Sequence, residues 1–198
     1  IRSLGNKLIE TIPVTDARVT GSGTATITIN PAGDLAGETP YYIEIDSTGF
    51  DDLSGNSYAG IYDNATWNFT TGDITKPTVS SYSPVDEATG VAADANLVLT
   101  FDEEVYAAAD SVYIRRTSDD GLFESIAATD ARITGSGTAT ITINPTGTFA
   151  SETGYYVQID SAAFEDVSTN KYAGIYDKTT WNFTSADIIA PTATTYDP

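Results

Sequence analysis

Between residues 79 and 184 apolar and polar side chains mostly alternate, the period of two that marks half-buried strands rather than the 3.6-residue period of helices. The alternation predicts strands over 79–82, 97–101, 112–116, 123–128, 131–134, 138–144, 155–159 and 181–184. The Gly-Ser-Gly run at 135–137 predicts a tight hairpin, because glycine reaches positive φ without steric cost. Only Ala-Ala-Ala-Asp at 107–110 offers a short helix. Short strands at this density, each bounded by turn residues, predict an antiparallel β-sandwich.

The same alternation assigns faces. Ala139, Ile141 and Ile143 point into a core while Thr138, Thr140 and Thr142 point out. Tyr155, Val157 and Ile159 point in, leaving Tyr156, Gln158 and Asp160 outside; Trp181 and Phe183 point in, Asn182 and Thr184 out. Tyr155 follows Phe149 by six residues, and Tyr41 follows Leu35 by six. That is the placement of a tyrosine at a sandwich corner, its hydroxyl returning to nearby backbone.

The chain also repeats itself. DARVTGSGTATITINP from Asp16 returns as DARITGSGTATITINP from Asp130, a shift of 130 − 16 = 114, and Trp67, Pro77 and Pro84 return as Trp181, Pro191 and Pro198. Roughly two-thirds of positions 16–84 are identical to 130–198 without a gap. A period of this length is that of a whole domain, far beyond solenoid repeats of about 20–50 residues. The reading is a first repeat over 1–72 that lacks the counterpart of about 85–113, a complete repeat over 77–186, and the opening of a third over 191–198. A start in mid-domain, with no initiating Met, predicts an internal piece of a longer tandem array. The few residues between Thr70 and Pro77 predict a short, stiff linker.

Composition narrows the chemistry. Among 198 residues, 28 Asp plus Glu stand against 9 Lys plus Arg, a formal charge of −19. That balance argues against nucleic acid and anionic lipid as partners. Cys, His and Met are absent, which removes thiolate and imidazole metal sites, Ser-His-Asp triads and disulfides. No apolar run of about 18 residues is present to span a bilayer.

PTVSSYSPVDEATGVAADANLVLTFDEEV (77–105), YYVQIDSAAFEDVSTNKYAG (155–174) and WNFT (181–184) resemble the bacterial immunoglobulin-like domains repeated in S-layer proteins and large surface adhesins. The likeness covers essentially the whole chain. It implies an all-β fold of tandem Ig-like, Greek-key antiparallel β-sandwiches in an extracellular, cell-surface protein. FDDLSGN (50–56) keeps that family's Asp-x-x-Gly-Asn turn, whereas the second copy has Thr169 in place of the glycine.

Paired acids, Asp51 with Asp52 or Asp102 with Glu103 and Glu104, are the type of residue that does acid–base work on glycosides, but a chain this acidic places such neighbours everywhere. No enzyme is expected. Hard cations take carboxylate and carbonyl oxygens, so Asp73, Asp86, Glu87 and Asp187, which flank the domain joints, are the candidate calcium ligands. Asp52 with Asn56, and Asp166 with Asn170, read instead as Asx turns. Asn-x-Thr sequons make Asn68 and Asn182, and also Asn64, candidate glycosylation sites. No lysine is shared between the copies, since Lys171 aligns with Ser57 and Lys178 with Asn64, which disfavours Lys-Asn isopeptide bonds. Thr24, Thr26 and Thr28 read as an ordinary solvent-facing row.

The expectation is a structural module, a stalk, S-layer or fibre segment whose partners are the neighbouring repeats and other copies of itself. One rival is an adhesin gripping glycan or host protein through Tyr42, Tyr58, Tyr156 or Tyr172. Another is a fibre subunit completed by β-strand addition.

Overall fold

The computed structural model describes residues 1–192, so the third-repeat opening at 191–198 lies outside the described residues beyond its first two positions. The chain divides into two compact units, Ile1–Ile74 and Thr75–Pro198. No helix occurs among the described residues.

The described residues of the second unit form ten strands: β6 (Val79–Ser83), β7 (Ala88–Val91), β8 (Leu97–Ala107), β9 (Ser111–Arg116), β10 (Leu122–Ala127), β11 (Ile133–Thr134), β12 (Thr138–Ile143), β13 (Gly154–Ile159), β14 (Phe164–Glu165) and β15 (Asn182–Ser185). One sheet runs β10-β9-β13-β15-β7, the other β11-β12-β8-β14 with β6 also on β8. All pairs are antiparallel except β7 with β15, where Phe183 faces Ala88 in a parallel ladder. Sequence alternation gave no hint of β7, because Ala-Thr-Gly-Val carries too few apolar side chains to show a period.

Inward residues from both sheets form one core that includes Leu97, Leu99, Phe101, Ile114, Ile141, Ile143, Val157, Ile159, Trp181 and Phe183. Trp181 stacks on Tyr82 with ring centroids 4.9 Å apart. Its indole N–H donates to the Pro84 carbonyl at 2.9 Å, which satisfies the polar edge of a fully buried ring. The corner tyrosines behave as expected: Ala150 N donates to Tyr155 Oη at 2.9 Å, and Ala36 N to Tyr41 Oη at 3.0 Å. The helix expected over 107–110 is replaced by a turn. Ala107 ends β8 against Phe164, Ala108 N donates to the Ala163 carbonyl, and Asp110 takes φ of 69°. Alanine's helix propensity is a weak preference that this strand pairing overrides.

The first unit holds β1 (Arg2–Ser3), β2 (Val19–Thr20), β3 (Thr28–Ile29), β4 (Pro40–Tyr42) and β5 (Asn68–Thr70), as a three-stranded sheet β1-β4-β5 and a two-stranded sheet β2-β3. Counterparts of β6, β7 and β8 are absent from it. In consequence Trp67 is 44% exposed where Trp181 is 0%, and Phe69 36% where Phe183 is 1%. The register of β1 differs as well. Arg2 faces Tyr42, whereas its equivalent Arg116 faces Tyr155 and Arg115 faces Tyr156. A one-residue slip exchanges the faces of a strand. Here it brings Ile1 to the inward place that Ile114 holds in the second unit.

Candidate functional site

The candidate cation ligands are engaged in local structure. Asp86 Oδ1 accepts from Asn182 N at 2.9 Å and from Asn182 Nδ2 at 3.0 Å, pinning the loop before β7 to the start of β15. Glu87 takes φ of 60° and its N–H donates to the Asn182 carbonyl at 2.8 Å. Asp187 lies beyond the other end of β15. Its Oδ1 accepts from Ile189 N and Ser151 Oγ, both at 2.9 Å, and these bonds hold its carboxyl below the usual range. Within the second unit, β15 therefore separates Asp86 and Glu87 from Asp187. Asp73 is half-buried in the segment that follows β5 in the first unit.

The structure brings a different pair together. Glu103 of β8 and Asp166, just after β14, place carboxylate oxygens within 4.8 Å of one another. Asp166 is buried and accepts from Asn170 N and Nδ2, both at 2.8 Å. Two carboxylates at that spacing are hard-oxygen ligands of the type calcium takes. Their separation of 166 − 103 = 63 residues left no local motif by which the sequence could show the pairing.

Other acids lock turns. Asp52 accepts from Ser54 N, Asn56 N and Asn56 Nδ2, each at 2.8 Å. Asp102 accepts from Thr78 N and Thr78 Oγ1 at 2.7 Å. Asp130 receives the guanidinium of Arg132 through two 3.0 Å bonds, and Arg132 also reaches Glu124 and Thr146. The Arg132 bonds depress the Asp130 carboxyl to about 2. The Asn56 side chain lowers Asp52, the Thr78 backbone lowers Asp102, and the Thr180 hydroxyl lowers Asp177. A general acid needs the opposite, a carboxyl raised toward neutrality.

The aromatic surface expected of an adhesin does not form as read from alternation. Tyr42, Tyr156 and Tyr172 are buried, and of the four named tyrosines only Tyr58 is exposed. Tyr156 does project from the outer face of β13, but its hydroxyl donates to Asp120 Oδ1 at 3.1 Å and Lys178 Nζ lies 5.6 Å from its ring centre. Tyr42 donates to Asn6 Oδ1 at 2.8 Å. Tyr172 packs edge-on against Phe101, 5.3 Å between centroids. Side chains of neighbouring turns thus cover a face that a strand-by-strand reading leaves open. At the sequons, Asn68 Nδ2 donates to the Asn64 and Ala65 carbonyls, and Asn182 Nδ2 to Asp86. Thr24 Oγ1 donates to the Gly21 carbonyl at 2.7 Å, closing the turn before β3.

Consecutive copies of an all-β unit, with a tyrosine corner in each, define an immunoglobulin-like repeat protein. The chain matches the bacterial Ig-like domain family over residues 3–71 and 73–185, and it belongs to that family. It is also similar to CopC from Methylosinus trichosporium OB3b, known from a crystal structure, at 17% identity and a TM-score of 0.41 over 59% of this chain and 99% of that one. No curated protein matches it. Among the described residues, no helix is long and apolar enough to cross a membrane.

Proposed function

We propose that this chain is a load-bearing spacer from an extracellular surface protein, a stalk, S-layer or fibre segment without catalytic activity. The observation that carries this reading is which side chains recur at the 114-residue shift. The Arg18–Asp16–Glu10 cluster recurs as Arg132–Asp130–Glu124, and the Asp63 turn recurs as the Asp177 turn. The Tyr41 corner recurs as the Tyr155 corner. Each of these holds backbone in place, and two copies of such a unit suit a scaffold better than a site of turnover. The acidic surface keeps an array soluble and suits calcium as its cation.

Single-molecule extension of the full chain tests the reading. The complete repeat over residues 77–186, which lies within the second unit, is expected to open in one discrete event that releases roughly 350 Å of contour, at about 3.3–3.6 Å per residue less its folded span. Gradual yielding without a force peak would remove the load-bearing role. Calcium belongs to the reading if millimolar Ca²⁺ raises the opening force and Glu103→Gln removes that rise.

A further inference from the structure

The outer face of the β1-β4-β5 sheet, where Tyr42 points away from the inward Tyr41, carries a polar recess of about 370 Å³. Its walls include Asn6, Tyr42, Glu44, Tyr62, Asp63 and Asn64. Tyr42 is buried beneath it, with its hydroxyl donating to Asn6 Oδ1 at 2.8 Å. Tyr62 is an exposed ring, anchored by Ser47 N, which donates to its hydroxyl at 2.7 Å. Among the described residues the Asn64 side-chain amide has no partner, and Glu44 engages only Oε2, which accepts from Arg2 Nε at 2.6 Å. The second unit repeats this framework and fills it. Tyr156 donates to Asp120 Oδ1 at 3.1 Å, and Asp120 takes φ of 57° where its equivalent Asn6 takes 64°. Lys178, in the place of Asn64, pairs with Asp120 and lies 5.6 Å from the Tyr156 ring centre. Gln158, in the place of Glu44, donates to the Tyr176 carbonyl at 2.8 Å and accepts from Arg115 Nε at 2.9 Å. The polar groups that the first unit leaves open are thus spent internally in the second.

We propose that this recess is a binding site for one neutral sugar unit of a glycan. Its chemistry selects that ligand. The unpartnered Asn64 amide supplies donors and an acceptor, and Glu44 Oε1 supplies a further acceptor, a set that adjacent sugar hydroxyls match because each both donates and accepts. The exposed Tyr62 ring adds an apolar face with a polar tip, which suits the C–H side of a pyranose. An anionic sugar is repelled by Glu44 and Asp63. Neither carboxylate is free for a cation: Glu44 is paired with Arg2, and Asp63 accepts from Ala65 N, Thr66 N and Thr66 Oγ1 at 2.7–2.8 Å. The volume lies in the range of small-molecule sites, about 300–1,000 Å³. The proposal does not depend on the spacer role.

The test is amide NMR of the full chain titrated with the methyl glycosides of glucose, galactose and mannose, and separately with glucuronate. At least one neutral glycoside is expected to give saturable shifts confined to the amides around Asn6, Glu44 and 62–64, with a dissociation constant on the order of millimolar for a ligand this small. Glucuronate should bind at least about tenfold more weakly. Asn64→Ala removes the free amide yet keeps the backbone carbonyl that Asn68 uses, so the turn stays folded and binding should weaken by about tenfold. Asn6→Asp combined with Asn64→Lys installs the ion pair that fills the second unit and should abolish the shifts. The absence of saturable shifts with all three glycosides overturns the proposal, as does equal binding of glucuronate or unchanged binding in either variant. The same shifts on addition of Ca²⁺ alone would make a cation the occupant and overturn it too.

Discussion

Removing one hydroxyl, by Tyr155→Phe, isolates the contribution of the corner to the second unit. The ring stays in its cluster, with Phe149 at 4.8 Å, Phe123 at 5.2 Å and Phe183 at 5.8 Å between centroids, so no cavity opens. The change leaves the Ala150 N–H without its acceptor beside a fully buried side chain. Ala150 is itself exposed, so water reaches the freed donor, and the expected loss in unfolding free energy is the net worth of an ordinary hydrogen bond, about 0.5–1.5 kcal/mol. For a unit of this size each kcal/mol lowers the melting point by about 4 °C. Urea unfolding followed by tryptophan emission measures it cleanly, since Trp181 reports the second unit while Trp67 begins half-exposed. Ser185 grips the other side of the same residue: its Oγ donates to the Ala150 carbonyl and accepts from Thr153 N at 3.0 Å. Ser185→Ala should therefore cost a similar amount, and the double variant should fall short of the sum by about 0.5 kcal/mol or more, as neighbours holding one loop do. Loss of under about 0.5 kcal/mol from Tyr155→Phe, or strict additivity, would refute the clamp; the former would place the hydroxyl's bond within the range of an ordinary surface contact.

Thr169 takes φ of 67° on an exposed turn whose counterpart, Gly55, takes 81°. Relief of about 1–2 kcal/mol of left-handed strain, less about 0.4–1 kcal/mol for the freer unfolded glycine, predicts that Thr169→Gly stabilises by roughly 0.5–1 kcal/mol in urea titration. Asp130 has a folded pKa of about 2 against an ordinary 3.8, so its stabilisation is present above 3.8 and disappears as pH falls through 2. Arg132→Met should flatten the acid limb of the stability–pH profile in that window, and an unchanged limb would contradict the assignment. Burial pushes the Tyr172 phenol up from an ordinary 10.0, so its contribution is present below pH 10 and is lost as pH rises beyond it. Tyr172→Phe should lessen the loss of stability above pH 10, read by circular dichroism across an alkaline series.

Strand placement was legible wherever one face of a strand is buried and the other wet. Residues 97–101, 112–116 and 155–159 all lie within strands of the second unit. The glycine turn and both tyrosine corners were legible too, because each depends on residues close in sequence. Long-range facts were not. The strand β7 owes its place to pairing with β15, more than ninety positions later, and Glu103 meets Asp166 only because β8 extends to Ala107 and turns against β14. Burial of Tyr156 escaped for a related reason: alternation describes the sheet, while Lys178 and Asp120 reach over it from loops.

The two copies of TGSGTATITINP, at 20–31 and 134–145, separate local from tertiary causes more sharply than any substitution. Twelve identical residues form the same turn, with φ of 96° and 79° at Gly21 and Gly23 against 95° and 82° at Gly135 and Gly137. Beyond that turn they diverge. The first copy yields a two-residue strand, Thr28–Ile29, and the second a six-residue strand, Thr138–Ile143. Propensity and side-chain alternation are the same in both, so neither explains the difference. The partner does: β12 lies along β8, with Thr140 to Ile143 facing Thr100 to Leu97, and β3 has only β2. Strand propensity is the fit of a side chain to a pleated, half-buried surface, and where that surface is missing the same residues have nothing to fit. The glycine turn is thus written in its own residues, whereas the length of the strand after it is set by the segment laid against it.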